Sequence, residues 1–152
     1  MEDKVRFKVD ISKVYWCSKL STERNRMIER FLKDGGVLCD MFCGIGPLAV
    51  KSAVKVPKLR VVCNDLNPEA VKYCRLNVQL NKVDKQVLPF NMDAREFVRW
   101  HVRQSNEHQS ELAPEFLKFD HCYMNLPVDA VEFCDVFIGL FKDANPKVWW
   151  KD

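Results

Sequence analysis

Four polar clusters in this sequence carry residue types able to do chemistry: Asp40 with the following Cys43-Gly44-Ile45-Gly46, Asn64-Asp65, Asn91-Met92-Asp93, and Asn125-Leu126-Pro127. Each closes a short apolar run and opens a segment with helical spacing. Gly44 and Gly46 make a tight turn where a ligand can approach the backbone. A carboxylate in the position of Asp65 can accept both hydroxyls of a ribose. Asp93 can accept from an adenine amino group or cap the helix that follows it. Asn125-Leu126-Pro127 puts an amide that both donates and accepts beside a proline at the fourth strand end. The first three, a glycine turn, a ribose acceptor and a base acceptor, describe an adenosine pocket. They do not choose between NAD and S-adenosylmethionine, because Gly44, Gly46 and Ala49 also complete a G-x-G-x-x-A pattern.

Each feature has a plain structural alternative. Many strand-to-helix turns carry glycine. Asn67, just before Pro68, is the better cap for the helix opening there, which leaves Asp65 freer for a ligand. Asn125 could simply stand outside a helix that starts at Pro127. What favours function is the convergence: in an open parallel sheet, ligands bind beyond the carboxyl ends of the strands, and all four clusters fall at such ends.

The elements that must position them alternate. Residues 4–16 are rich in β-formers and predict an extended or hairpin lead-in. STERNRMIERFLKDGG reads as a helix, with Gly35 at its C-cap. Strands follow at GGVLCDMF, LRVVCND, QVLPFNMD and FDHCYMN. Helices are expected at GPLAVKSAVK, PEAVKYCRLNVQLN, AREFVRWHV and PVDAVEFCDVFIGLF. This β-α alternation predicts an α/β, Rossmann-like fold, a mainly parallel sheet with helices on both faces. Residues 1–19 form the lead-in and 20–152 one ligand-binding domain. Residues 104–115 are expected to be a polar surface insertion.

Apolar residues make up 47% of the chain and charged residues 30%, which fits a folded domain and not a disordered one. No apolar run approaches the length of a membrane span. The net charge of +3 permits an anionic partner without demanding one. The seven cysteines include no C-x-x-C pair. Their odd number, and the placement of Cys39, Cys63, Cys122 and Cys134 in apolar runs, predict a reducing compartment, no disulfide framework and no metal site. His101, His108 and His121 lack metal-ligand spacing and are read as structural. Lys51, Lys55, Lys58 and Arg60, and Arg95, Arg99 and Arg103, are read as solvated faces before phosphate contacts.

Taken in order, DMFCGIGP, NDLNPEAVKYCRLNVQLNKV, NMDAREF and YMNLP resemble the Trm5-type tRNA (guanine-37-N1)-methyltransferase family. The upstream VYWCSKLSTERNR is similar to the segment that precedes its catalytic domain. The resemblance implies a class I S-adenosylmethionine fold, a tRNA substrate contacted at the anticodon loop, and methyl transfer to N1 of guanosine 37. It places Asp40, Phe42, Gly44, Gly46, Asp65, Leu66, Asp93, Ala94 and Asn125 around the cofactor, with Asp65 on the ribose and Asp93 on the adenine. It assigns Glu23 as the base for the N1 proton. Asn125 and Pro127 bracket the guanine, and Arg24 neutralises O6 or grips a phosphate. Cys17 and Lys19 depart from the family's usual asparagine and arginine. The related wybutosine-pathway aminocarboxypropyl transferases share the cofactor fold, and Asn125-Leu126-Pro127 argues against them. Other readings are a cofactor-binding fragment without activity and, last, an NAD-dependent oxidoreductase. The resemblance further implies a catalytic-domain piece of a longer chain. A monomer in cytoplasm, nucleus or mitochondrial matrix is expected.

Overall fold

The apolar runs do form strands: β1 (Val37–Asp40), β2 (Arg60–Asn64), β3 (Val87–Phe90) and β4 (His121–Tyr123). The structure is a computed structural model that describes residues 4–15, 17–107 and 109–150. His108 therefore lies outside the described residues. The strands build one sheet in the order β3-β2-β1-β4, every pair parallel. Between them run α1 (Ser21–Phe31), α2 (Pro47–Lys55), α3 (Pro68–Leu80) and α4 (Ala94–Gln104), with a short α5 (Pro146–Trp149) after β4.

A parallel sheet is covered on both faces, and alternate strand residues divide between two cores. Leu38, Val61, Cys63 and Val87 pack with Ile28 of α1, Leu48 and Val50 of α2, and Cys74 and Val78 of α3. Cys39, Val62 and Leu88 face Phe97 and Val98 of α4 on the other side. The chain steps outward from β1 to β2 to β3, then crosses back to place β4 on the far side of β1. The carboxyl ends of β1 and β4 therefore flank the topological switch point.

Several local expectations are corrected. The lead-in is extended but pairs with no strand over more than a single residue. Asn77 on α3 and Asn81, the residue just past its end, hold it instead. Asn81 accepts from the Arg6 amide at 3.0 Å and donates to the Arg6 carbonyl at 2.7 Å. Asn77 does the same for Lys8, at 2.7 and 3.1 Å. Side-chain amides thus satisfy the backbone groups that a neighbouring strand would have taken. Helix α1 ends at Phe31, because Leu32 is already extended, so Gly35 serves a later turn at φ +82°.

The expected helix over 127–141 is a 3₁₀ stretch, Ala130–Phe137, followed by turns. Val128 has φ +72°, and the Asp129 amide donates to the Pro127 carbonyl at 2.9 Å. That i→i+2 bond around a positive-φ residue is a strained γ-turn, which no α-helix can pass through. Pro127 consequently starts a turn and not a helix. The 104–115 segment is polar but not merely a surface loop. Gln104 Oε1 accepts from Ser110 Oγ at 3.0 Å and the Glu111 amide at 2.8 Å, and Leu112 is buried in the α4-side core.

Candidate functional site

A cleft of about 530 Å³ opens at the switch point, within the usual range for ligand pockets. Its walls come from the lead-in (Val14, Tyr15, Cys17), the start of α1 (Leu20, Arg24), the β1 turn (Phe42 to Ile45, Pro47), the β2 end (Asp65 to Asn67) and the β4 end (Asn125 to Pro127). Three of the four polar clusters thus meet in one cavity.

The glycine turn is built for close approach. Gly44 and Gly46 have φ +55° and +85°. A Cβ on Gly46 would lie 2.7 Å from Cys74 Sγ, so this turn and α3 can touch only because the side chain is missing. Asn77 reinforces the contact by donating to the Ile45 carbonyl at 3.0 Å. The Gly44 amide donates to Asp65 Oδ2 at 2.8 Å, and the Asn67 amide to Asp65 Oδ1 at 2.9 Å. Asp65 therefore clasps the turn to the β2 end and still presents carboxylate lone pairs toward the cleft. Asn67 caps α3 by accepting from the Glu69 amide at 3.0 Å.

The β3 end is tied to this clasp. Asn91 Nδ2 donates to the carbonyls of Asp65 and Leu66 at 2.8 and 3.0 Å. The buried Asn64 exchanges bonds with Met92, donating at 3.0 Å and accepting at 2.9 Å. Asp93 caps α4 through Oδ1, which accepts from the Arg95 and Glu96 amides at 2.9 and 3.1 Å. Its second oxygen makes neither bond. Asp93 is exposed beyond the cleft wall, Ala94 is buried beneath it, and Leu66 stands out at 70% exposure.

Asp40 does not line the cleft. It is 2% exposed, and the Phe42 amide donates to its Oδ1 at 3.3 Å. Burial lifts its pKa to about 8, so near neutrality the group is largely an uncharged acid. Phe42 itself lines the cleft and meets Phe133 edge-on, with ring centroids 4.8 Å apart.

On the α1 side the expected pair separates. Arg24 is buried, donates to the Cys17 carbonyl at 3.0 Å and reaches the cleft wall. Glu23 faces elsewhere: Arg26 grips both its oxygens, at 2.6 and 2.9 Å, and holds the carboxyl below the usual carboxylate range. Asn125 is exposed, and among the described residues its side chain makes no hydrogen bond. Tyr15, 72% exposed at the mouth of the cleft, is a wall residue that composition and periodicity did not single out.

Three other sequence candidates have structural roles. His101 is buried with Nε2 2.7 Å from the Phe116 carbonyl oxygen, and burial lowers its pKa to about 4. Lys51 is fully buried and donates to Ser21 Oγ at 3.0 Å, so it is not part of a solvated face. Arg95 pairs with Asp135 at 2.9 Å and lies 4.1 Å over the Phe133 ring.

The model of the TRM5/TYW2 methyltransferase domain matches residues 1–146. The chain belongs to this family. It is 43% identical over 145 residues to the tRNA (guanine(37)-N(1))-methyltransferase of Mus musculus, an overlap of 95% of this chain and 28% of that protein. Trm5b from Pyrococcus abyssi, solved as a crystal structure, superposes with a TM-score of 0.67 at 35% identity, covering 92% of this chain and 36% of that one. TYW2 of M. jannaschii, solved in complex with AdoMet, superposes with a TM-score of 0.67 at 27% identity, covering 90% and 54%. The chain thus spans about a fifth to two-fifths of the length of the curated relatives it matches, 22% at one end and 39% at the other. The shared architecture is the Rossmann-like methyltransferase sheet expected from the β-α alternation.

Proposed function

We propose that the protein methylates N1 of guanosine 37 in tRNA, with S-adenosylmethionine as the methyl donor. The observation that carries this reading is the meeting of the Gly44–Asp65 clasp and the Asn125-Leu126-Pro127 turn in one cleft. The donor set fits the cofactor: a glycine turn open to a ligand at Gly44, a carboxylate with spare lone pairs at Asp65, and a second carboxylate at Asp93. When bound, the cofactor supplies a sulfonium-activated methyl group.

This chain's residues must then hold the guanine, take its N1 proton and stabilise charge growing on O6. The Asn125 amide, which makes no other hydrogen bond among the described residues, pairs with the base edge while Pro127 limits the directions the turn can take. Arg24, anchored on the Cys17 carbonyl, brings a fixed positive charge to the cleft wall for O6. Glu23, which does not line the cleft, accepts the N1 proton in this reading only after it leaves Arg26 and turns toward the cleft. Gly44 and Gly46 face the methionine part, Asp65 the ribose, Asp93 the adenine, and Phe42 and Leu66 the apolar surface of the nucleoside. Asp40 and Ala94 support the pocket from beneath. No helix among the described residues is long and apolar enough to cross a membrane, and the seven free cysteines fit a reducing compartment.

Calorimetric titration with S-adenosylhomocysteine, on the full-length protein and its Asp65→Ala variant, tests the cofactor. The expected result is binding that the variant weakens by about tenfold or more, a loss of at least ~1.4 kcal/mol. Labelled methyl transfer to tRNA transcripts carrying G37 or A37 then tests the substrate, with label expected on G37 alone. A folded protein that ignores S-adenosylhomocysteine would sink the reading. A product mass matching an aminocarboxypropyl group would move the chain to the TYW2 branch.

A further inference from the structure

Beneath the glycine turn lies a group of side chains that the proposed reaction does not use. Cys43 follows β1, Cys63 sits within β2 and Cys74 lies midway along α3. Their three sulfurs all lie within 4.8 Å of one another, and all three residues are buried. Cys63 Sγ and Cys74 Sγ are 3.9 Å apart. Spacing along the chain hides this group, because each cysteine comes from a different element.

We infer that Cys43, Cys63 and Cys74 form a three-sulfur site for a single thiophilic ion, copper(I) by its coordination number. Sulfurs held in a plane at bonds of about 2.3 Å, as in thiolate-bound zinc, stand about 4 Å apart, and the Cys63–Cys74 separation already matches. A disulfide needs a sulfur separation of about 2.05 Å, so this pair would have to close by nearly 2 Å. The spacing therefore suits a shared ion better than a bond.

The number of donors chooses the ion. Structural zinc completes a tetrahedron of four ligands. Among the described residues no fourth His, Cys, Asp or Glu joins the group, and its neighbours Val50, Ala49 and Val78 are apolar. Soft thiolate sets select copper(I) or zinc. Zinc on three protein ligands takes a water as its fourth. The apolar side chains packed with this group give such a water little to bond, which favours copper(I). Charge does not separate them: copper(I) on two thiolates and one thiol carries −1, as zinc(II) does on three thiolates. Loading is balanced by proton release. One copper(I) ion replaces two thiol protons, which pass to solvent, and no oxidation state changes. Cys43 also lines the cleft, which gives the ion a way in. Gly46, whose absent Cβ lets Cys74 come close, couples the ion site to the turn above it.

The test is anaerobic titration of the reduced full-length protein with copper(I) held by bicinchoninate. One equivalent should leave the chelator per chain, and X-ray absorption should report three sulfurs at about 2.3 Å. Cys63→Ala and Cys74→Ala should each weaken uptake by at least about tenfold, while the exposed-thiol variant Cys134→Ser should keep it. Copper that stays on the chelator overturns the site, as does uptake lost in Cys134→Ser or Cys17→Ser. A two-sulfur shell overturns it on the unmodified protein, whether or not the alanine variants fold. Preferential uptake of zinc(II) with four donors overturns the three-coordinate assignment. None of these outcomes bears on S-adenosylhomocysteine binding, so the site stands or falls apart from the methyltransferase reading.

Discussion

The two walls of the cleft are held in different ways. On the β1–β2 side the polar side chains at the strand ends are tied down within the protein. Asp65 takes two backbone amides, Asn91 two carbonyls, and Asn77 ties the glycine turn to the lead-in. On the β4 side Asn125 is exposed, and the chain then passes through a strained turn at Val128, which is 97% exposed. The first wall is a preformed socket, as suits a cofactor of constant shape. The second holds Asn125 with little support, as would suit the proposed role of meeting a base on a large RNA. Preorganisation is thus concentrated where the ligand is small.

Breaking the socket should give the largest effect. Gly46→Ala puts a Cβ 2.7 Å from Cys74 Sγ at φ +85°. Strain and overpacking together should cost about 3 kcal/mol of stability, read by urea denaturation, with S-adenosylhomocysteine affinity falling alongside. The opposite wall should respond in turnover alone. Asn125→Ala is expected to leave stability and S-adenosylhomocysteine affinity unchanged, while single-turnover methylation of tRNA slows by about a hundredfold. Equal losses in cofactor binding and turnover would erase the contrast between the walls.

A third variant probes the floor of the socket through pH. The pKa of Asp40 is raised from 3.8 to about 8, so the native state keeps a proton that the unfolded chain gives up. Its contribution is therefore fully present below about pH 4 and is lost as pH rises through about 8. His101 runs the other way, because a depressed histidine pKa costs stability as pH falls from 6.5 toward about 4. Comparing Asp40→Asn with the unmodified protein isolates the first effect. Denaturation from pH 4 to 8 should show the stability difference moving in favour of the variant as pH rises. The smallest effect is expected at Val128. Val128→Gly removes the side chain from a positive-φ position and should raise stability by about 1 kcal/mol, measured by thermal unfolding. If the strain helps to aim Asn125, the same change should slow methylation without touching cofactor affinity.

What could be read along the chain was whatever short-range pattern controls. Apolar runs located all four strands, and Asn67-Pro68 and Asp93 marked helix starts that the structure confirms as side-chain caps. The last expected α-helix does not form: Phe133 and Phe137 stand four apart and both pack in the α4-side core, but that spacing does not reveal that Val128 adopts a positive φ. Glu23 and Arg24 are neighbours in sequence, yet one pairs with Arg26 at the surface and the other is buried at the cleft. A helix sends adjacent residues to different faces, and only packing decides which face is inside.

The sequence by itself determined the β-α order, the glycine turn and the polar residue closing each strand, because each depends on local backbone preference and side-chain period. Tertiary structure alone decided that three of those ends meet in one cleft, that Asp40 is buried and Asn125 exposed, and that three distant cysteines share one space. Those outcomes follow from strand order and from how α3 seats against the sheet. Both are set by the burial of whole faces, to which no single short segment holds the key.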